Sequence, residues 1–145
     1  MKVITLILLT VFLGKSCNNE AQNDIANAVI QYSADTRGFH LKLIIINQKG
    51  TISRGTGTEN PSEEIDISDN DWKEIIGYFE KIDLEEIPTL KDPTQKRFYD
   101  GAAIANLKIR YQDKNYETVA FDHGFPPAKI EKLVNKIVSL AQEKE

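Results

Sequence analysis

The chain has 145 residues, 28% of them charged and 41% hydrophobic, with a formal net charge of −4 and a single cysteine. That length holds one domain with its own core and not two comfortable ones. The acidic balance argues against nucleic acid as a partner and against attraction to anionic lipid surfaces.

The first element in the chain is an address. Lys2 is followed by an almost unbroken apolar run, Val3 to Leu13, then by Gly14-Lys15-Ser16 and Cys17. The run is too short to cross a hydrocarbon core of about 30 Å as a helix, but it suits a secretory signal. Its ending on a small residue and a lone cysteine resembles a bacterial lipoprotein signal. That resemblance implies that Cys17 receives lipid, becomes the first mature residue and ties the protein to a membrane. Lys15 departs from the small or uncharged residue usual there. Two alternatives are cleavage elsewhere, leaving an unpaired thiol in an oxidising compartment, and an uncleaved anchor, which the short run disfavours. The expected location is the bacterial cell envelope, on the periplasmic face of the outer membrane. Beyond Cys17, 16 basic residues face 22 acids, so the mature charge becomes −6. Residues 18–27 are polar and aperiodic and read as a flexible tether, leaving 28–145 as the domain.

Ala28 to Ser33 reads as a strand closed by the turn Asp35-Thr36-Arg37-Gly38. Phe39 to Asn47 is rich in large and β-branched residues, and Gln48-Lys49-Gly50 turns it into a return strand, Thr51 to Thr56. A polar loop is expected as far as about Glu64. From Asp69 to Ile82, the residues Trp72, Ile75, Ile76, Phe79 and Ile82 form one helical stripe, with Ser68 as N-cap and Asp71 in a capping-box-like position. Leu84 to Tyr99 is a long connection containing Pro88 and Pro93. Ala102 to Tyr111 alternates cleanly, placing Ala103, Ala105, Leu107, Ile109 and Tyr111 on one face. Gln112 to Asn115 turns it into Tyr116 to Phe121, and a second helix is expected to begin at Pro126-Pro127. The order β-β-β-α-β-β-α predicts an α+β domain: an antiparallel sheet of about five strands with two helices packed on one face. The wet face is the first place to look for a binding surface.

The densest motif is Phe121-Asp122-His123-Gly124-Phe125-Pro126-Pro127. Asp122 and His123 are candidates for an acid/base pair or for two metal ligands. The structural alternative is a strand-to-helix turn in which Gly124 supplies an unusual backbone angle, Phe121 and Phe125 plug the core, and Asp122 accepts backbone N–H bonds. Arg37 and Arg97 sit at turns and suit carboxylate or phosphate binding. The bland reading of each is a surface arginine, bridging to Asp100 or Asp122 or covering apolar area with its stem. His40 and His123 lie far apart in sequence and Cys17 is spoken for, so zinc is poorly provided for. Asp66, Asp69, Asn70 and Asp71 lack the spacing of a calcium loop. No nucleophile elbow, dinucleotide fingerprint or P-loop occurs. The acidic pairs Glu63-Glu64 and Glu85-Glu86 read as exposed charge rather than a glycosidase pair. No catalytic set, metal or cofactor is expected.

Together, Thr36-Arg37-Gly38-Phe39, Arg97-Phe98-Tyr99-Asp100-Gly101-Ala102 and Phe121 to Pro127 resemble small bacterial envelope lipoproteins of unassigned function. The resemblance implies an envelope protein and carries no activity, substrate or catalytic residue with it. The first expectation is a non-enzymatic domain binding another envelope component. The alternatives are a small hydrolase or ligand-processing site drawn from Arg37, His40, Arg97, Asp100, Asp122 and His123, and an inhibitor of a basic envelope enzyme.

Overall fold

The computed structural model describes residues 24–56 and 60–142. The signal with Cys17, and residues 18–23 of the expected tether, lie outside the described residues. Seven strands form one antiparallel sheet: β1 (Val29–Thr36), β2 (Phe39–Ile46), β3 (Lys49–Gly55), β4 (Ser62–Asp66), β5 (Ile104–Tyr111), β6 (Lys114–Glu117) and β7 (Phe121–Asp122). Their spatial order is β4-β3-β2-β1-β5-β6, and β7 pairs with the start of β5 beyond the end of β6. Two helices, α1 (Asp69–Phe79) and α2 (Glu131–Gln142), cover one face, and two 3-10 turns (Leu84–Thr89 and Lys96–Tyr99) occupy the long connection. The α+β class and the two-helix layer agree with the sequence pattern, while the sheet has seven strands rather than about five.

The extra strands have identifiable causes. In β4 only Ile65 is buried, so the segment carries no alternating apolar signal and reads as loop. Gly50 on β3 makes its pairing possible, since a Cβ there would lie 2.8 Å from Ile65 Cγ1. The expected strand Tyr116 to Phe121 is broken into β6 and β7 by Thr118. Its N–H donates to the Leu107 carbonyl at 3.0 Å, while its Oγ1 accepts from the Leu107 N–H at 3.1 Å. The hydroxyl thus takes over a backbone acceptor's place in the ladder, and Val119 and Ala120 step outward into solvent.

Three boundaries also move. Ile25, expected in the tether, is 2% exposed and belongs to the core; the Ala28 N–H bonds its carbonyl at 2.8 Å, so the domain starts ahead of residue 28. Helix α1 stops at Phe79 because the backbone tightens, Ile82 N–H donating to the Phe79 carbonyl at 3.0 Å. Helix α2 begins at Glu131 rather than at the prolines. A residue preceding proline is pushed out of the helical region, so Pro126 cannot open a helix ahead of Pro127.

The core follows from the two periodicities. Ile30, Tyr32 and Ala34 of β1, Leu41, Leu43 and Ile45 of β2, and Ala105, Leu107 and Ile109 of β5 project from one face. They meet Trp72, Ile75, Ile76 and Phe79 of α1 and Leu133, Val134, Ile137 and Leu140 of α2. At the N-terminus of α1, Ser68 Oγ accepts from the Asp71 N–H at 3.2 Å, and its hydroxyl donates to the Asp71 carboxylate at 2.5 Å. The two helices are tied by Lys136, whose ammonium lies 2.6 Å from Asp71 and 2.9 Å from Glu74. The opposite face of the sheet carries half-exposed Gln31, Ser33, Lys42, Ile44, Thr51, Ser53, Asn106 and Lys108, and neither α1 nor α2 packs on it. No helix among the described residues is long and apolar enough to cross a membrane.

Candidate binding corner

Asp122 is the one acid of the described chain that is fully enclosed, at 0% exposure. It accepts four hydrogen bonds: Thr94 Oγ1 at 2.5 Å, the Lys96 N–H at 2.5 Å, the Arg97 N–H at 3.1 Å and Arg97 Nη1 at 3.0 Å. Arg97 also donates to the Thr94 carbonyl at 3.2 Å and, through Nη2, to Asp92 at 2.8 Å. Burial by itself would raise the Asp122 carboxyl. The bonds from Thr94, the Arg97 side chain and the two backbone N–H groups outweigh it and hold the group near 2. Both carboxylates in turn raise the Arg97 guanidinium further above its ordinary range, Asp92 most. This cluster clamps residues 92–97 onto the end of the sheet at β7. The clamped chain then makes a 3-10 turn that ends with Asp100 at φ 55, and the Gly101 N–H closes it on the Lys96 carbonyl at 2.8 Å.

His123 leaves the chain the other way. Asp122 is the register partner of Ile104, which opposes Asp35 on β1, so it belongs to the face opposite α1 and α2. His123 Nδ1 shares a 2.7 Å hydrogen bond with the hydroxyl of Tyr32, which is buried on the helix-covered face. The imidazole also lies against the ring of Phe39, with centroids 5.3 Å apart. Burial pushes the imidazole below its ordinary pKa and the Tyr32 hydroxyl above its own. Gly124, at φ 87, supplies the reversal that follows. The two neighbours therefore form no acid/base couple: the carboxylate is saturated by donors on one side, and the imidazole sits among rings on the other.

The remaining candidates are distributed around the same end of the sheet. His40 pairs with Asp35 across the β1–β2 ladder. Arg37 is exposed in the hairpin turn, two residues before Phe39. Asp100 is exposed at the end of the second 3-10 turn. Arg97 and Asp122 are brought into direct contact, whereas His40, Arg37, Asp100 and His123 are not joined to that pair by any ion pair or hydrogen bond among the described residues. Asp92, Thr94 and Tyr32 complete the cluster and carried no local signal, because their partners lie 5, 28 and 91 residues away.

What does converge is the three motifs. The β1–β2 turn, the turn at 96–101 and the β7 turn meet at one end of the sheet, through the Phe39–His123 contact and the Asp122 clamp. Their meeting leaves large side chains in solvent: Tyr99 is 86% exposed, Phe98 67% and Ile104 54%. Phe125, expected to plug the core, is instead 39% exposed, since its bridge to Asp122 turns the chain back outward. Two of the rings carry a cation on one face, with Lys96 Nζ 3.9 Å from the centre of Phe125 and the Arg97 guanidinium carbon 4.5 Å from that of Phe98. Asp24, where the described chain begins, is bonded to the Tyr111 hydroxyl at 2.9 Å, at the far end of β5. The eight residues of β1 put about 24 Å between these two poles.

An open groove of about 650 Å³ lies near the other pole, bordered by Ile44, Ile46, Thr51, Glu64 and Asp66. Among the described residues no three His, Cys, Asp or Glu side chains gather as a metal centre would require. No family model matches the chain, and no curated protein matches it.

Proposed function

We propose that this chain is a bacterial envelope lipoprotein, anchored through an acylated Cys17 on the periplasmic face of the outer membrane. In this reading its domain is non-enzymatic and binds another envelope protein through the corner formed by the three turns. The observation that carries it is the exposure of Phe98 and Tyr99, 67% and 86%, on a segment held rigidly by the buried Asp122 clamp. Rings left in water at a loop tip are a cost to solubility and offer contact area to a partner. Rings already fixed in place lose little further entropy on binding, which is the character of an interface anchor. The anchor and the corner fit together geometrically. Six residues lie between Cys17 and Asp24, and a chain of that length reaches at most about 25 Å. The chain enters the domain at the pole away from the rings, which supports a corner directed away from an anchoring membrane.

The anchor is tested by labelling cells with radioactive palmitate: label enters the wild-type chain and is absent from Cys17→Ser. The corner is tested by placing a photo-crosslinking residue at Tyr99 and, for comparison, at Ile46 near the other pole. A specific envelope protein is captured from position 99 and not from position 46. Capture from position 46 alone sinks the assignment of the corner.

A further inference from the structure

Residues 122 and 123 fasten two different turns to the end of the sheet, and only one of the two fastenings responds to pH near neutrality. Asp122 holds the segment 92–97 with a carboxyl near 2, so it stays ionised throughout that range. His123 holds the β1–β2 turn, its ring lying against Phe39 and its Nδ1 sharing a 2.7 Å hydrogen bond with the Tyr32 hydroxyl. The state of that nitrogen follows from its partner. Tyr32 is fully enclosed, and burial keeps its hydroxyl protonated. Among the described residues, His123 Nδ1 is the only hydrogen-bond partner the hydroxyl has. A buried hydroxyl has one proton to place, so Nδ1 carries the accepting lone pair and Nε2 carries the imidazole proton.

Acid adds its proton at that same lone pair. Nδ1 then becomes a donor facing a donor, and the Tyr32 hydroxyl is left inside the protein without an acceptor. No carboxylate offsets the new charge, since His123 makes no ion pair among the described residues. From β1 and β2, Asp35 and His40 are engaged with each other, and Arg37 in the turn between them adds only like charge. From the other side, Asp92 and Asp122 are engaged by Arg97, and Lys96 lies over the Phe125 ring. Asp100 stands exposed at the end of its turn. Protonation of His40 strengthens its attraction to Asp35, so that pair holds the hairpin in acid rather than freeing it. The His123 backbone is fixed by its own N–H, which donates to the Ala103 carbonyl at 2.9 Å, so it is the ring that moves.

We propose that the His123 imidazole is an acid-released latch: once protonated, the ring leaves Tyr32 and Phe39 for solvent, and the β1–β2 turn comes free while the segment 92–101 stays clamped. The latch regulates the corner, a step that rests on the corner being a docking surface. The partner is held across the hairpin turn near neutral pH and loses that part of its contact in acid.

Two measurements test it. NMR titration of the full-length chain in a neutral detergent follows the His123 ring and its cross-peaks to Phe39 and Tyr32. The cross-peaks are expected to vanish as the ring titrates. Tyr32→Phe removes the hydroxyl that needs the acceptor and is expected to raise the midpoint of that titration. The second measurement places a photo-crosslinker at Arg37 and, separately, at Tyr99, in envelope membranes held at about pH 7.5 or about pH 5.5. Capture from position 37 is expected to fall about three- to tenfold in acid, and capture from position 99 to fall less. His123→Gln, whose side-chain oxygen still accepts from Tyr32 without titrating, is expected to abolish the acid loss. Cross-peaks that persist through the titration, an acid loss equal at both positions or equal in His123→Gln, or capture from position 99 alone overturn the latch and leave the corner as a docking site. No capture from either position at about pH 7.5 removes both.

Discussion

Two clusters in this molecule share a charge pattern, one cation between two acids, in different circumstances. Arg97 stands between Asp92 and Asp122, and Lys136 stands between Asp71 and Glu74. In the first, one carboxylate is sealed from solvent at 0% exposure and its oxygens also serve two backbone N–H groups and a hydroxyl. In the second, the carboxylates are 23% and 51% exposed, and water can replace what the ammonium gives. A cation between two acids is thus not a unit with a fixed worth. Around Asp122 removal of the cation leaves a sealed carboxylate without its counter-charge, while around Lys136 it uncouples two helix surfaces that also hold each other by apolar packing. The first cluster shapes the corner, and the second adjusts how two helices meet.

Substitutions can break that contrast. Asp122→Ala is expected to have the largest effect, about 3–5 kcal/mol, because Thr94 and two backbone N–H groups lose their acceptor. In a domain of this size the melting temperature falls on the order of 10–20 °C, and the segment 92–101 loses its protection from amide exchange. Tyr32→Phe comes next, at about 1 kcal/mol, since it removes the hydroxyl's hydrogen bond to the His123 imidazole while keeping the ring. Lys136→Met is expected to cost at most about 1 kcal/mol, with no change in the exchange of residues 92–101. Equal losses for Asp122→Ala and Lys136→Met in parallel melts would end the distinction between the two clusters.

Titration sharpens the same comparison. The Asp122 carboxyl lies near 2 in the folded chain, below its usual 3.8. A depressed acid contributes stability that is complete above the unfolded value and is lost as pH falls toward the folded one. Acid melts of the parent should therefore decline between about pH 4 and 2, and the decline should be shallower in Asp122→Asn, from a lower starting point. His123 titrates higher. Burial lowers its imidazole, so the unfolded chain binds the proton first and stability falls as pH drops below about 6.5. This smallest of the expected effects is read as a slope in melting temperature between pH 7 and 5, which His123→Gln should flatten.

Much of the scaffold was legible in the sequence. The stripe from Trp72 to Phe79 and the alternation from Ala103 to Ile109 are buried as their periods require. The Ser68 cap forms, and Gly124 takes its positive φ. Residues that lack a periodic signal were misplaced: Ile25 in the tether, the polar β4 in a loop, Phe125 in the core. The site was legible only as three short motifs. Nothing in the local spacing of Asp122-His123 states that one neighbour faces the segment 94–97 and the other faces Tyr32.

By itself, then, the sequence determined the class of fold and the helix and strand faces, because these depend on residue type and on periods of two or 3.6 residues. The tertiary structure alone decided that three distant turns share one end of the sheet, that Arg97 closes on Asp122 across 25 residues, and that Phe98 and Tyr99 are left in solvent. Such pairings depend on strand order and on the path of the connection from 84 to 103, and neither is encoded in the neighbours of any one residue.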